Sequence, residues 1–187
     1  MRRIDTPLPG VVILEPRVHG DHRGFFLESY NLRTFEELGI RHRFVQDNHS
    51  RSLRGVLRGL HYQFRQPQAK LVRVTRGRVF DVAVDIRRGS PHFGCWTGAE
   101  LTEDNRRMMF APEGFAHGFL VLSEVAEFQY KCSDFYDPAD ERGIAWNDPR
   151  IAIAWPLGDL EPVLSGRDLN WATLDRMDDA ELPRFEP

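Results

Sequence analysis

The chain has 187 residues, of which 41% are hydrophobic and 28% are charged, as in an ordinary soluble globular protein, and we predict a single domain over residues 1–187. The net charge of −3 provides no basic surface for nucleic acid, and we find neither a membrane-length apolar run nor the apolar core of a signal peptide. The two cysteines, Cys95 and Cys132, form no CxxC motif. We therefore expect core thiols in the reducing cytoplasm.

Short apolar or alternating segments, separated by Gly and Pro turns, follow one another along most of the chain. They predict strands at residues 11–14, 25–30, 44–48, 53–63, 69–76, 78–86, 95–101, 107–111, 125–132 and 151–156. Asn31 is a favourable N-cap for a short helix over residues 32–38 that stops at Gly39, and a second short helix is predicted over residues 171–177. This pattern indicates an all-β sandwich or barrel, with segments 69–76 and 78–86 joined as a hairpin at Gly77.

Lys70 lies on the same predicted strand face as Val72 and Val74. Burying an unpaired ammonium is unfavourable, so a lysine in this position has either a partner or a purpose. The other interpretation places Lys70 at a strand end with its amine in water.

Alternation also assigns faces in two later strands. Over residues 78–86 it predicts that the side chains facing the core are those of Phe80, Val82, Val84 and Ile86. Asp81 and Asp85 are then expected outside. Over residues 125–132 it places Tyr130 inward, on the same face as Phe128 and Cys132, where the hydroxyl needs a partner.

Polar residues elsewhere leave two interpretations open. Gln46 and Asn48 share a strand face and could bind the edge of a base or sugar, or only satisfy backbone groups. Arg58 and His61 differ in parity, so a regular strand would point them to opposite faces. Gly59 permits a bulge or a close backbone approach that brings both to one side.

One segment suggests metal binding. Pro112-x-Gly114-x-x-His117 fits the second half of the motif of metal-binding cupins, which are small double-stranded β-barrels. The first half should supply a His-x-His and a glutamate, and a site needs three or four converging ligands. The corresponding region reads His61-Tyr62-Gln63, without the second histidine. The sequence therefore predicts a barrel with no metal.

The same residues fit acid and base catalysis next to a carbonyl group. Lys70 and Arg58 could stabilise an enolate oxygen, while His61 could remove the proton of the adjacent carbon. Tyr130 could return a proton to the opposite face, which would complete an epimerisation, and Asp168 could fix the histidine tautomer. A lone histidine on a strand is more often structural, and spacing alone does not bring these groups together.

Motifs along almost the whole chain resemble those of the dTDP-4-dehydrorhamnose 3,5-epimerases, cupins of deoxysugar-nucleotide biosynthesis. The matching segments are Asp21-x-Arg23-Gly24-x-Phe26-x-Glu28, Gln46-Asp47-Asn48, Arg58-Gly59-Leu60-His61-Tyr62-Gln63, Ala69-Lys70-Leu71-Val72, Pro112-x-Gly114-Phe115-Ala116-His117-Gly118-Phe119, Tyr130-Lys131-Cys132 and Glu141-x-Gly143-Ile144-x-Trp146-Asn147-Asp148-Pro149. Each motif alone is a weak signal, but so many in the same order are a strong one. The resemblance implies a cupin-type double-stranded β-helix, or jelly-roll barrel, with a few short helices at its ends.

The resemblance also implies catalytic roles. His61 would be the base that takes the proton next to the 4-keto group, with Asp168 orienting it. Tyr130 would be the acid on the opposite face, and Lys70 would stabilise the enolate oxygen.

A further set of residues would bind the substrate, a dTDP-4-keto-6-deoxy sugar. It consists of Arg23, Phe26, Glu28, Gln46, Asn48, Arg58, His117, Glu141 and Arg167. The resemblance implies no cofactor, and a homodimer with exchanged N-terminal strands, in which Arg23 would serve the partner's site. Members of the family commonly have Ser-x-Lys-Asp in the tail, where this chain has Ser165-Gly166-Arg167-Asp168; arginine keeps the charge with a different hydrogen-bond geometry.

The leading hypothesis is double epimerisation at C3 and C5 of dTDP-4-dehydro-6-deoxy-D-glucose, which gives the L-rhamnose precursor. A single-site 3- or 5-epimerase of an antibiotic deoxysugar pathway would use the same groups. A cupin ketoisomerase would rely on a histidine pair, and an inward Tyr130 counts against it. A sugar-nucleotide sensor would bind without proton exchange.

Overall fold

Two antiparallel sheets face each other and enclose the main hydrophobic core; the structure is a computed structural model that describes residues 1–186. The strands are β1 (Arg2–Asp5), β2 (Val12–Glu15), β3 (Val18–Asp21), β4 (Gly24–Leu27), β5 (Gln46–Leu53), β6 (Leu57–Gln63), β7 (Lys70–Arg76), β8 (Arg78–Asp85), β9 (Trp96–Thr102), β10 (Met108–Ala111), β11 (Phe115–Val121), β12 (Val125–Cys132) and β13 (Glu141–Gly143). The larger sheet has the order β1-β2-β10-β7-β12-β5, the smaller β13-β6-β11-β8-β9, and β3 pairs only with β4. The predicted all-β barrel is confirmed.

The space between the sheets is filled by side chains from both. Val72, Val74 and Phe128 of the larger sheet meet Ala83 and Phe119 of the smaller one, and the rings of Phe119 and Phe128 stack at 4.1 Å. Phe119 and Phe128 also line the cavity that lies between the two sheets.

Both sheets are also covered on their outer faces. The helix α1 (Leu32–Glu37), capped by the Asn31 side chain as predicted, packs Phe35 against the larger sheet. The C-terminal segment covers the smaller sheet with Leu174 and Leu182, and includes short 3₁₀ turns at Asp168–Asn170, Leu174–Arg176 and Asp179–Glu181. No helix among residues 1–186 is long and apolar enough to cross a membrane.

The second cover explains why the prediction for β8 was right for its apolar residues, since Val82, Val84 and Ile86 are buried in a core cluster, but wrong for its two aspartates. Val82 and Val84 point to the outer cluster under the C-terminal segment, while Asp81 and Asp85 are fully buried rather than outside. Asp81 points into the barrel, where it meets His117, and Asp85 binds Arg87. Alternation identifies two faces, but it cannot say which is solvated when both are covered.

Three further predictions were wrong. Strands β7 and β8 do not form a hairpin, because Gly77, at a φ of +77°, carries the chain from one sheet to the other. Residues 151–156 form turns and irregular structure rather than a strand. Cys95 is exposed rather than in the core, while Cys132 is buried as predicted, and both thiols are free.

Candidate active site

A cavity of about 740 Å³ opens between the two sheets, and the stacked rings of Phe119 and Phe128 form part of its lining. Ten of the thirteen predicted site residues line it: Gln46, Asn48, Arg58, His61, Lys70, His117, Tyr130, Glu141, Arg167 and Asp168. Its volume lies in the range of small-molecule sites.

His61 and Asp168 form a close pair at the cavity wall. The distance from His61 Nε2 to Asp168 Oδ1 is 2.5 Å, with exposed side-chain fractions of 26% and 5%. Burial raises the pKa of the Asp168 carboxyl, but the hydrogen bond and charge of His61, with bonds from Ser165 and Trp171, outweigh it and leave the pKa below its ordinary value. Asp168 is therefore an anionic acceptor, so the His61 nitrogen that faces it carries the proton.

A second histidine–carboxylate pair lies deeper, and sequence reasoning missed its carboxylate. His117 Nε2 lies 2.9 Å from Asp81 Oδ1, and the side chains are 8% and 0% exposed. His117 is the cross-strand partner of His61. Burial raises the pKa of Asp81, against the charge and hydrogen bond of His117 and the charge of Lys70. The available signal was an aspartate inside the apolar run Val79-Phe80-Asp81-Val82.

Lys70 and Tyr130 both line the cavity from the larger sheet. Burial lowers the pKa of the Lys70 amine, which the nearby Cys132 and Asp81 partly offset. Burial also raises the pKa of the Tyr130 hydroxyl, so at neutral pH this residue is a phenol able to donate a proton. The inward orientation predicted for Tyr130 is confirmed.

Gly59 brings Arg58 to the same cavity as His61, as predicted. It adopts a φ of +122°, and a Cβ there would lie 2.6 Å from the Cα of Gly118. The β6–β11 register shifts at this point. Arg58 Nε and Nη2 lie 3.1 and 3.0 Å from the hydroxyl of Ser52.

The mouth of the cavity is polar. Arg167 forms an ion pair with Glu141, which also accepts a bond from the Tyr136 hydroxyl at 3.2 Å. The backbone amide of Tyr136 donates to Gln46 Oε1 at 3.0 Å, and Gln46 Nε2 donates to Asn48 Oδ1 at 3.0 Å. Charged and amide groups therefore surround the entrance.

Three predicted binding residues lie outside this cavity. Arg23 pairs with Asp21 on the exposed β3–β4 hairpin. Phe26 on the same hairpin is 70% exposed. Glu28, after the hairpin, accepts a bond from the amide of Asn31 at 3.0 Å.

The arrangement defines an enzyme of acid and base chemistry on a β-barrel. The cavity holds an imidazole with an anionic partner, a half-buried lysine amine and a phenol, which together can remove a proton, stabilise the resulting charge and return a proton. Among residues 1–186, no three His, Cys, Asp or Glu side chains converge to form a metal site.

Comparison with known proteins identifies the family. Residues 5–176 match the family model of dTDP-4-dehydrorhamnose 3,5-epimerase, and the chain belongs to this family of cupin-fold isomerases. The Pseudomonas aeruginosa dTDP-4-dehydrorhamnose 3,5-epimerase is 62% identical over 169 residues, 90% of this chain and 93% of the relative. A dTDP-4-dehydrorhamnose 3-epimerase of Streptomyces niveus is 44% identical over 97% of this chain and 88% of the relative.

The solved structures agree on the whole fold. The Legionella pneumophila dTDP-6-deoxy-D-glucose-3,5-epimerase, in complex with dTDP-4-keto-L-rhamnose, superposes with a TM-score of 0.97 at 52% identity. The match covers 100% of this chain and 99% of that one. The predicted cupin-type barrel is thus confirmed.

Proposed function

We propose that the protein epimerises C3 and C5 of dTDP-4-dehydro-6-deoxy-D-glucose to dTDP-4-dehydro-L-rhamnose, in dTDP-L-rhamnose biosynthesis. The observation that carries the proposal is the convergence of His61, Lys70 and Tyr130 on one cavity, with Asp168 bonded to the imidazole. Family membership supports the substrate class, and the 62% identity to a named 3,5-epimerase supports the double reaction.

The proton is removed by His61. Because His61 Nε2 donates to the Asp168 carboxylate, the neutral ring has its lone pair on Nδ1, and this nitrogen is the base. The carbon next to the 4-keto group is acidic only if the negative charge that develops on the keto oxygen is stabilised. Lys70 lines the cavity as a half-buried side chain, and its ammonium would stabilise that charge more strongly than it would in open water.

Inversion requires that the proton returns on the other face. Tyr130 lies on β12 of the larger sheet, while His61 lies on β6 of the smaller sheet, so a sugar ring between the sheets is flanked by both. The raised pKa of Tyr130, caused by burial, keeps its proton available at neutral pH. Gln46, Asn48, Arg58, His117, Glu141 and Arg167 are assigned to the sugar and the thymidine diphosphate.

The test is incubation of the protein with the 4-keto sugar nucleotide in heavy water, followed by NMR of the product. Deuterium at both C3 and C5 with the L-configuration is expected. Deuterium and inversion at one carbon only would identify a single-site epimerase, the activity named for the Streptomyces niveus relative. Binding without exchange at either carbon would overturn the proposal.

We also propose a homodimer in which the β3–β4 hairpin completes the partner's site. The hairpin pairs with no other strand among residues 1–186, and Phe25 and Phe26 are 58% and 70% exposed. An isolated hairpin with exposed aromatic rings is unstable in water and indicates an interface. This assembly gives Arg23, Phe26 and Glu28 their binding roles.

Complementation tests the exchange. Arg23→Ala and His61→Asn proteins, each weakly active, are unfolded together and refolded as a mixture. If hairpins are exchanged, each mixed dimer has one intact site, and roughly a quarter of wild-type activity returns. A dimeric mass without recovered activity would reject the exchange. A monomeric mass would reject the dimer.

The two free thiols favour the reducing cytoplasm as the location of the protein. Fractionation of cells that make the protein would check this assignment.

A further inference from the structure

The indole of Trp171 contacts the carboxylate that the proposed mechanism uses to orient His61. Trp171 Nε1 donates to Asp168 Oδ1 at 3.3 Å, the same oxygen that lies 2.5 Å from His61 Nε2. The indole and the imidazole are also in edge contact, with ring centroids 6.3 Å apart. One carboxylate oxygen therefore has two N–H groups as neighbours.

The position of the indole is fixed by the absence of a side chain at Gly143. A Cβ on Gly143 would lie 2.3 Å from Trp171 Cε2, so the indole lies directly on this glycine. Gly143 is the cross-strand partner of His61. The β13–β6 ladder therefore sets the distance between the indole and the imidazole.

The backbone around Trp171 is also held in place. The carbonyl of Ala172 accepts a bond from the amide of Ala145 at 2.9 Å, and Leu174, three residues after Trp171, is fully buried. The indole N–H is thus presented to Asp168 by a segment that is anchored directly after Trp171. Among residues 1–186, Trp171 is not one of those that line the cavity, so its contact with the site runs through Asp168 and His61.

We propose that Trp171 is a positioning residue for the reaction, and that Gly143 is required to seat it. By donating to Asp168 Oδ1, the indole holds the carboxylate in the plane of the imidazole and weakens its attraction for the protonated ring. This inference rests on the proposed function in one respect only: that His61 is the base. The hydrogen-bond arrangement itself can be measured without substrate.

The direction of the pH effect separates this role from a merely structural one. Without the indole N–H, Asp168 Oδ1 has one donor fewer and attracts the imidazolium more strongly, so the ring holds its proton to higher pH. The low-pH limb of the kcat profile then moves to higher pH. A loosened segment that moved Asp168 away would shift the limb to lower pH, because the imidazolium would lose its partner.

The experiment compares Trp171→Phe, which keeps an aromatic ring without the N–H, with Gly143→Ala, which displaces the indole. Trp155→Phe is the matched control, since its indole N–H bonds to the Trp146 carbonyl on the outer side of the smaller sheet. For Trp171→Phe we expect kcat to fall about three- to tenfold with KM within about twofold, and the low-pH limb of the kcat profile to move to higher pH. Gly143→Ala should also lower kcat. Trp155→Phe should leave kcat and the position of the low-pH limb unchanged.

A second measurement on substrate-free protein keeps the test independent of the proposed activity. NMR of the ring nitrogens follows the protonation of His61 with pH in wild-type and Trp171→Phe proteins. Titration at higher pH in the variant supports the positioning role even if the wild-type protein epimerises nothing. An unchanged titration, or a shift to lower pH, would overturn the inference whatever the activity.

Discussion

The two histidine–carboxylate pairs of the cavity are cross-strand neighbours with different surroundings. His61 is a quarter exposed and receives its carboxylate from the C-terminal segment, whereas His117 and Asp81 are almost fully buried on adjacent core strands. Asp168 is surrounded by donors and has a lowered pKa; Asp81 has one donor, a buried Oδ2 without a partner among residues 1–186, and a raised pKa. In the proposed mechanism, the same residue types thus give the base at the cavity wall and a buried support beneath it.

The largest difference between the two pairs is expected when His61 or His117 is replaced by asparagine. His61→Asn removes the proposed base and should lower proton exchange about 10³-fold, with little loss of stability. His117→Asn should retain exchange within about tenfold of wild type but lower the free energy of unfolding by about 2 kcal/mol, because Asp81 loses its partner. Exchange NMR and urea unfolding of both variants check this. Equal losses of activity would remove the distinction between the pairs.

Lys70→Met tests the ammonium that lies near the deeper pair. The side chain keeps its length but loses its charge, so kcat should fall about 10²- to 10³-fold. Stability should stay equal or rise, since burial disfavours the charged amine. Because the folded-state pKa is lowered, the gain should be larger at lower pH, where the wild-type protein must bury a proton on Lys70. Urea unfolding of both proteins over a pH series measures this gain in stability. A variant less stable than wild type at every pH would contradict the unfavourable burial of the Lys70 charge.

Tyr130→Phe separates proton removal from proton return. His61 is untouched, so deuterium exchange should persist within about tenfold of wild type. Formation of the inverted product should fall about 10²-fold because the acid on the opposite face is gone. Parallel NMR assays of exchange and product configuration give the ratio. An equal decrease in both would assign Tyr130 to the first step instead.

The smallest expected effect is that the contributions of Asp168 and Asp81 to stability change in opposite directions with pH. Asp168, with a lowered pKa, contributes stability above its unfolded-state pKa that disappears as pH falls through its folded-state pKa, so the destabilisation by Asp168→Asn should grow as pH rises towards and past about 4. Asp81, with a raised pKa, loses its contribution as pH rises above about 4. The destabilisation by Asp81→Asn should therefore shrink as pH rises. Urea unfolding at several pH values compares the two trends, and trends of the same sign would refute the contrast.

The sequence predicted both members of the His61–Asp168 pair but only the histidine of the His117–Asp81 pair. Lys70 and Tyr130 stood out as polar groups on apolar strand faces, and the motif containing Gly59 suggested how Arg58 and His61 meet. Asp81 was assigned to solvent because alternation cannot detect that the outer face of β8 is covered by a distant segment.

The remaining errors have similar physical causes. The hairpin at Gly77 was wrong because local turn chemistry does not report whether a chain pairs with itself or crosses to a facing sheet. Trp171 gave no signal, since its contact with Asp168 depends on how the tail lies against Gly143. Such long-range placements are set by tertiary packing and not by any short stretch of sequence.

Asp168 follows every strand of the barrel in chain order, and this has a consequence during translation. The ribosome makes all residues of both sheets before the carboxylate that pairs with His61. A nascent barrel can therefore close around its cavity while the imidazole still lacks its partner. In the proposed mechanism, acid–base competence therefore depends on the docking of a segment that is made after all the strands.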